Sequence, residues 1–66
     1  MTPPAVTAIV LNWCNHDETA HCLRSLLNSE YGNLDVLLVD NGSPDDSFER
    51  LRASFPEIEA LQTGMN

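Results

Sequence analysis

The chain has 66 residues, room for one small domain, and 42% of them are apolar, enough for a core rather than wholesale disorder. A domain of about 60 residues buries only about 60% of the surface its unfolded chain exposes, and two cysteines without any repeat supply no extra staple. Ten Asp and Glu against three Arg leave a formal net charge of −7, which excludes charge-driven binding to nucleic acid or anionic membrane but not a local phosphate site built from backbone N–H groups.

At the start of the chain, Thr2-Pro3-Pro4 reads as an extended leader, because proline disfavours helix in the residue before it. No positive segment precedes the apolar run from Ala5 to Trp13, and Thr7 and Asn12 interrupt it, so it fits neither a signal peptide nor a membrane span. Val6 to Leu11 is β-branched and nearly continuous in apolar character, the pattern of a strand buried on both faces of a parallel sheet. The polar stretch from Asn12 to Asp17 ends it. Glu18 to Ser29 is expected to be a helix, with Ala20, Leu23, Leu26 and Leu27 on the inner face. Its start fits two residues: Asn15, with Glu18 completing a capping box, or Asp17 as the cap.

Residues 28–33 read as a connection, and Leu34 to Val39 as a second buried strand. Asp40 to Asp46 is a dense turn signal. Within it, Ser43 is expected to cap a second helix that begins at Pro44 and buries Phe48, Leu51 and Phe55. Pro56 closes that helix, and Ile58, Ala60 and Leu61 suggest a third short strand. The order strand, helix, strand, helix, strand predicts an α/β fold with three parallel strands in sequence, half of a doubly wound, Rossmann-like sheet with helices layered on it to three layers in all.

In open parallel sheets ligands bind beyond the carboxyl ends of the strands. Asn12-Trp13-Cys14 and Asp40-Asn41-Gly42-Ser43 both fall there. Trp13 offers a flat face for a base, and Asp40 and Asn41 offer hydrogen-bonding groups for its edge or for a ribose. The same residues also read as a tryptophan packed on a loop beside an ordinary turn and helix cap. Other chemistries fit worse. Cys14, His16, His21 and Cys22 lack the paired spacing of zinc ligands. Asp40 to Asp46 has Gly42 at the third position, where a calcium loop needs an acid, and no Glu at the twelfth. A receiver domain would need an acidic pair after the first strand and a later lysine, and this chain has no lysine.

Taken together, the motifs resemble those of family 2 glycosyltransferases. VTAIVLNWCN, from Val6 to Asn15, resembles the family's opening V-S-V-V-I-V-N-Y/W-N. Cys22 to Leu26 resembles its CL-x-SL helix segment. LLVDNGSPD, from Leu37 to Asp45, resembles its V-D-N/D-x-S-x-D signature, and Phe55-Pro56 with Gly64-Met65-Asn66 resembles the approach to its N-x-G-F segment. The Val-Asp-Asn form is most similar to the rhamnosyltransferase-like branch, which builds cell-surface polysaccharide.

The resemblance implies a partial GT-A-type nucleotide-binding half in which Trp13 stacks on the donor's pyrimidine. Leu11 and Asn12 line that pocket, and Asp40 and Asn41 read base and ribose. It implies a UDP- or dTDP-sugar donor and a glycan acceptor. Cys14 stands where the family usually has Asn. The family's Asp-x-Asp, which holds a divalent Mg or Mn ion on the donor diphosphate, and its general base both lie downstream of the N-x-G segment. On that footing residues 1–66 are a single N-terminal segment, cut before the metal-binding and acceptor half. The segment is inactive alone, carries no cofactor of its own, and has a sheet edge open to self-association. A cytoplasmic setting is expected from the sparse cysteines, with membrane association left to the full-length parent. The alternative is a non-catalytic nucleotide-binding remnant or small assembly module.

Overall fold

The computed structural model describes residues 4–64; the Thr2-Pro3 part of the leader and Met65-Asn66 lie outside the described residues. The elements run β1 (Val6–Asn12), α1 (His16–Leu27), β2 (Leu34–Asp40), α2 (Ser47–Ser54) and β3 (Glu59–Gln62). All strand pairs are parallel and the spatial order is β1-β2-β3. The α/β arrangement of three parallel strands alternating with two helices is therefore the one the sequence predicts. Pairing of β1 with β2 is continuous from Val6 opposite Leu34 to Asn12 opposite Asp40. The tips of the two strands thus end side by side.

Alternation along the strands sorts the side chains onto two faces. Val10, Val36 and Leu38 point to one face, where they pack with Ala20 and Leu23 of α1 and Phe48, Leu51 and Phe55 around α2. Leu23, Leu38 and Leu51 are completely buried. Arg24 of α1 lies 5.9 Å from the centre of the Phe55 ring, so its guanidinium covers the seam between the helical segments.

Both helices sit on this single face, giving two layers where three are expected. The reason is topological: two crossovers of the same hand between sequentially adjacent strands must return on the same side. The expectation of strands buried on both faces is corrected with it. The opposite face carries Ile9, Leu11 and Leu61, which are 61%, 74% and 54% exposed.

Helix starts also differ from expectation. α1 begins two residues early, at His16. Asn15 is its N-cap by position but makes no side-chain capping hydrogen bond, so the capping box does not form. α2 begins at Ser47 rather than Pro44, with Asp46 at the N-cap position. Ser43 is unavailable as a cap because its hydroxyl is engaged across the sheet, and Asp45 instead accepts from the Ser47 N–H at 3.1 Å and the Ser47 hydroxyl at 2.6 Å.

Candidate functional site

The carboxyl ends of β1 and β2 are joined by a buried polar cluster. Asn12 is 2% exposed and Asp40 is fully buried. Their place follows from strand alternation, since each lies two residues beyond a core side chain, Val10 and Leu38 respectively. The Asn12 amide donates to Asp40 Oδ2 at 2.8 Å and to Ser47 Oγ at 2.9 Å, and Asn12 Oδ1 accepts from the Thr19 hydroxyl at 2.7 Å. One side chain thereby ties β1 to α1, β2 and α2. Asp40 Oδ1 accepts from the backbone N–H groups of Gly42 at 2.9 Å and Ser43 at 2.6 Å, which folds the following turn back onto the strand end. Gly42 has φ 86, a left-handed conformation that suits glycine and lets this turn close.

Burial pushes the Asp40 carboxyl up, but the Ser43 backbone, the Asn12 amide and the Ser43 and Gln62 side chains together outweigh it and hold the group below the ordinary 3.8. Asp40 is therefore a carboxylate at neutral pH. Every buried side-chain nitrogen and oxygen among the described residues has a partner.

Above this cluster lie the two turns. Trp13 is 51% exposed. With Leu11, Asn15, Glu18, Thr19 and Cys22 it lines a hollow of about 470 Å³ beside the free edge of β1, and Asn41 is not among the lining residues. Asn41 is exposed on the neighbouring turn, where its Oδ1 accepts from the Thr63 hydroxyl at 2.8 Å. The Thr63 N–H donates to the Asp40 carbonyl at 2.9 Å. The segment after β3 therefore joins the site, a contribution that sequence reasoning misses because nothing in Gln62-Thr63 resembles a binding motif. Cys14 has φ 51, the one non-glycine positive φ among the described residues, and its N–H donates to Ser43 Oγ at 3.0 Å.

Of the five residues the sequence singles out, Leu11, Trp13 and Asn41 reach solvent, Leu11 on the face away from the helices, while Asn12 and Asp40 are buried on the helical face. The larger hollow, about 630 Å³, lies at the opposite, amino end of the sheet among Leu34, Asp35, Glu57 and Glu59, and none of these five residues lines it. Among the described residues no group of three or more His, Cys, Asp or Glu side chains comes together to hold a metal. Both Asp40 oxygens and Asp45 Oδ1 accept from protein donors, so these carboxylates do not offer a ready seat for a divalent ion. No helix among the described residues is long and apolar enough to cross a membrane.

A parallel sheet that ends in an exposed tryptophan and an Asp-Asn-Gly-Ser turn at adjacent strand tips defines an α/β protein of the Rossmann-like, GT-A half-domain class. The family model described as glycosyl transferase family 2 matches residues 8–61, which include both strand-end motifs. The chain belongs to that family. Among curated proteins no match is found.

Proposed function

We propose that this chain supplies the donor-nucleoside end of a glycosyltransferase. The observation that carries the reading is the side-by-side ending of β1 and β2, which puts exposed Trp13 and Asn41 on neighbouring turns next to the buried Asn12–Asp40 cluster. In this reading the Trp13 ring stacks on a pyrimidine, a contact worth about 1–3 kcal/mol for a base on an aromatic ring. Asn41 hydrogen-bonds the base or ribose. Leu11 borders the pocket, and Asn12 and Asp40 act from beneath by fixing the turns.

The donor is a UDP- or dTDP-sugar and the acceptor a glycan hydroxyl, in cell-surface polysaccharide synthesis of the rhamnosyltransferase-like kind and in a cytoplasmic setting. Magnesium or manganese would be held by an Asp-x-Asp, a sequence that residues 1–66 do not contain. The 66 residues bind without catalysing. A non-catalytic nucleotide-binding module is the second reading, favoured by the full hydrogen-bond pairing of the buried Asn12–Asp40 cluster among the described residues.

A two-dimensional amide NMR titration of the chain with UDP and then dTDP tests the proposal. Shifts confined to residues 11–14 and 40–43, and abolished by Trp13→Ala, are the expected result. A dispersed spectrum that neither nucleotide moves would refute nucleoside binding.

A further inference from the structure

The turn that carries Trp13 is short, lies at the surface, and passes through a left-handed residue that is not glycine. Cys14 has φ 51, a conformation that costs a side chain with a Cβ about 1–2 kcal/mol. Something must hold it. Among the described residues, the one hydrogen bond that reaches this turn from the neighbouring strand end is the Cys14 N–H donating to Ser43 Oγ at 3.0 Å. Ser43 is itself immobilised: it is 8% exposed, and its own N–H donates to Asp40 Oδ1 at 2.6 Å. Asp40 in turn is fixed by Asn12, whose amide donates to it at 2.8 Å, and Asn12 belongs to the strand that leads into the Trp13 turn. The bonds form a closed circuit through Asn12, Asp40, Ser43 and Cys14, with Trp13 enclosed in its backbone.

We infer that Ser43 is a positioning residue whose hydroxyl latches the Trp13 turn to the Asn41 turn, so that the two move as one unit. The ligand consequence rests on the nucleoside reading above; the latch does not. Binding to two turns already fixed relative to one another avoids the ordering cost that two independent turns would carry. Through the Cys14 N–H, Ser43 fixes the backbone immediately after Trp13 and with it the direction in which the indole is presented. The serine of the Asp-Asn-Gly-Ser turn then does its work on the other strand's loop rather than as a helix cap.

Hydrogen exchange at the Cys14 amide, with Trp13 indole anisotropy, reads the latch directly in the free chain. Cys14 is an exposed residue outside any helix or strand, so a slow amide there requires the Ser43 bond. In Ser43→Ala the expected result is exchange at Cys14 about five- to tenfold faster, the factor for one net hydrogen bond. Indole anisotropy falls, while the amides of Leu23, Leu38 and Leu51 keep their protection. Ser43→Thr, which retains the hydroxyl, restores both. UDP affinity drops by a similar factor in Ser43→Ala and recovers in Ser43→Thr. An unchanged Cys14 amide in a folded Ser43→Ala chain would overturn the latch, as would unchanged UDP affinity its positioning role. Should Ser43→Ala not fold, the unmodified chain decides: a Cys14 amide exchanging at the rate of an unstructured peptide overturns the inference, and a protected one supports it. A chain that ignores UDP altogether refutes the nucleoside reading and leaves the exchange comparison standing.

Discussion

Asn12→Asp changes one atom group and almost no volume, yet it places a second carboxylate within 2.8 Å of Asp40 Oδ2 in a site sealed from water. Two carboxyl groups so placed cannot both ionise, and one apparent pKa of the pair rises. A rise of about 2–3 units corresponds to a loss of about 3–4 kcal/mol at pH 7, at 1.36 kcal/mol per unit. The variant also leaves Ser47 Oγ without the amide that donates to it at 2.9 Å, adding about 1 kcal/mol. Marginal stabilities of about 0.05–0.15 kcal/mol per residue give a chain of this length only about 3–10 kcal/mol in total, so the loss takes about half of the upper value and unfolds the chain at neutral pH at the lower one.

The direction with pH is fixed. A group whose folded pKa is raised contributes stability that is complete below the unfolded pKa and is lost as pH rises through the folded value. The deficit of Asn12→Asp relative to the unmodified chain is therefore smallest near pH 4 and grows up to about pH 7. Urea unfolding followed by circular dichroism at pH 4.5, 5.5 and 7 measures it. A deficit that stays constant across that range, or is absent at pH 7, would refute the idea that Asn12 and Asp40 form a closed, directly bonded pair.

The unmodified chain behaves in the opposite sense: Asp40 is held below 3.8, so its contribution is present above that pH and is lost as pH falls through the folded value, giving an acid unfolding limb that Asp40→Asn flattens. Cys14→Asn places a residue tolerant of left-handed φ at the one strained position and is expected to stabilise the fold by about 0.5–1 kcal/mol, read as a rise of about 2–8 °C in a thermal melt; a lower Tm would show that the thiol contributes a contact. Leu51→Ala removes a completely buried side chain between α2 and the sheet and is expected to cost about 2–5 kcal/mol, enough to lose the dispersed amide spectrum of so small a domain.

The strands were legible because apolar β-branched runs leave few alternatives, and Val6 to Leu11 and Leu34 to Val39 fall inside β1 and β2. The motif order was legible too, and the family model matches the part of it that falls within residues 8–61. Harder to read was which polar residues turn inward. Asn12 and Asp40 stand in polar clusters at strand ends, where ligand-binding groups belong, yet each shares the parity of the core side chains two residues earlier. Extending the alternation by one step would have placed them on the helical face. Their partners were beyond reach, because Ser47 lies 35 residues from Asn12 and no local pattern announces the pairing.

The start of α2 departs from the sequence signal for a related reason. Ser43-Pro44 is a sound local helix signal, but the hydroxyl that would cap the helix is taken by Cys14, and tertiary demand overrides propensity. The second layer of helices was expected from the doubly wound analogy, whereas sequential strand order alone places α1 and α2 together.

The unbroken pairing of β1 with β2 works as a ruler. Seven residues on each strand are measured off in step, so the connecting segments can vary in length without changing what arrives at the far end. A single residue inserted within 6–12 or 34–40 would reverse the inward and outward assignment of everything beyond it. Asn12 or Asp40 would swing into solvent, and a leucine or valine would take its place against the helices. Insertions in the connection at 29–33 carry no such penalty. Length variation in this chain is thus partitioned by structure, free between the strands and forbidden along them.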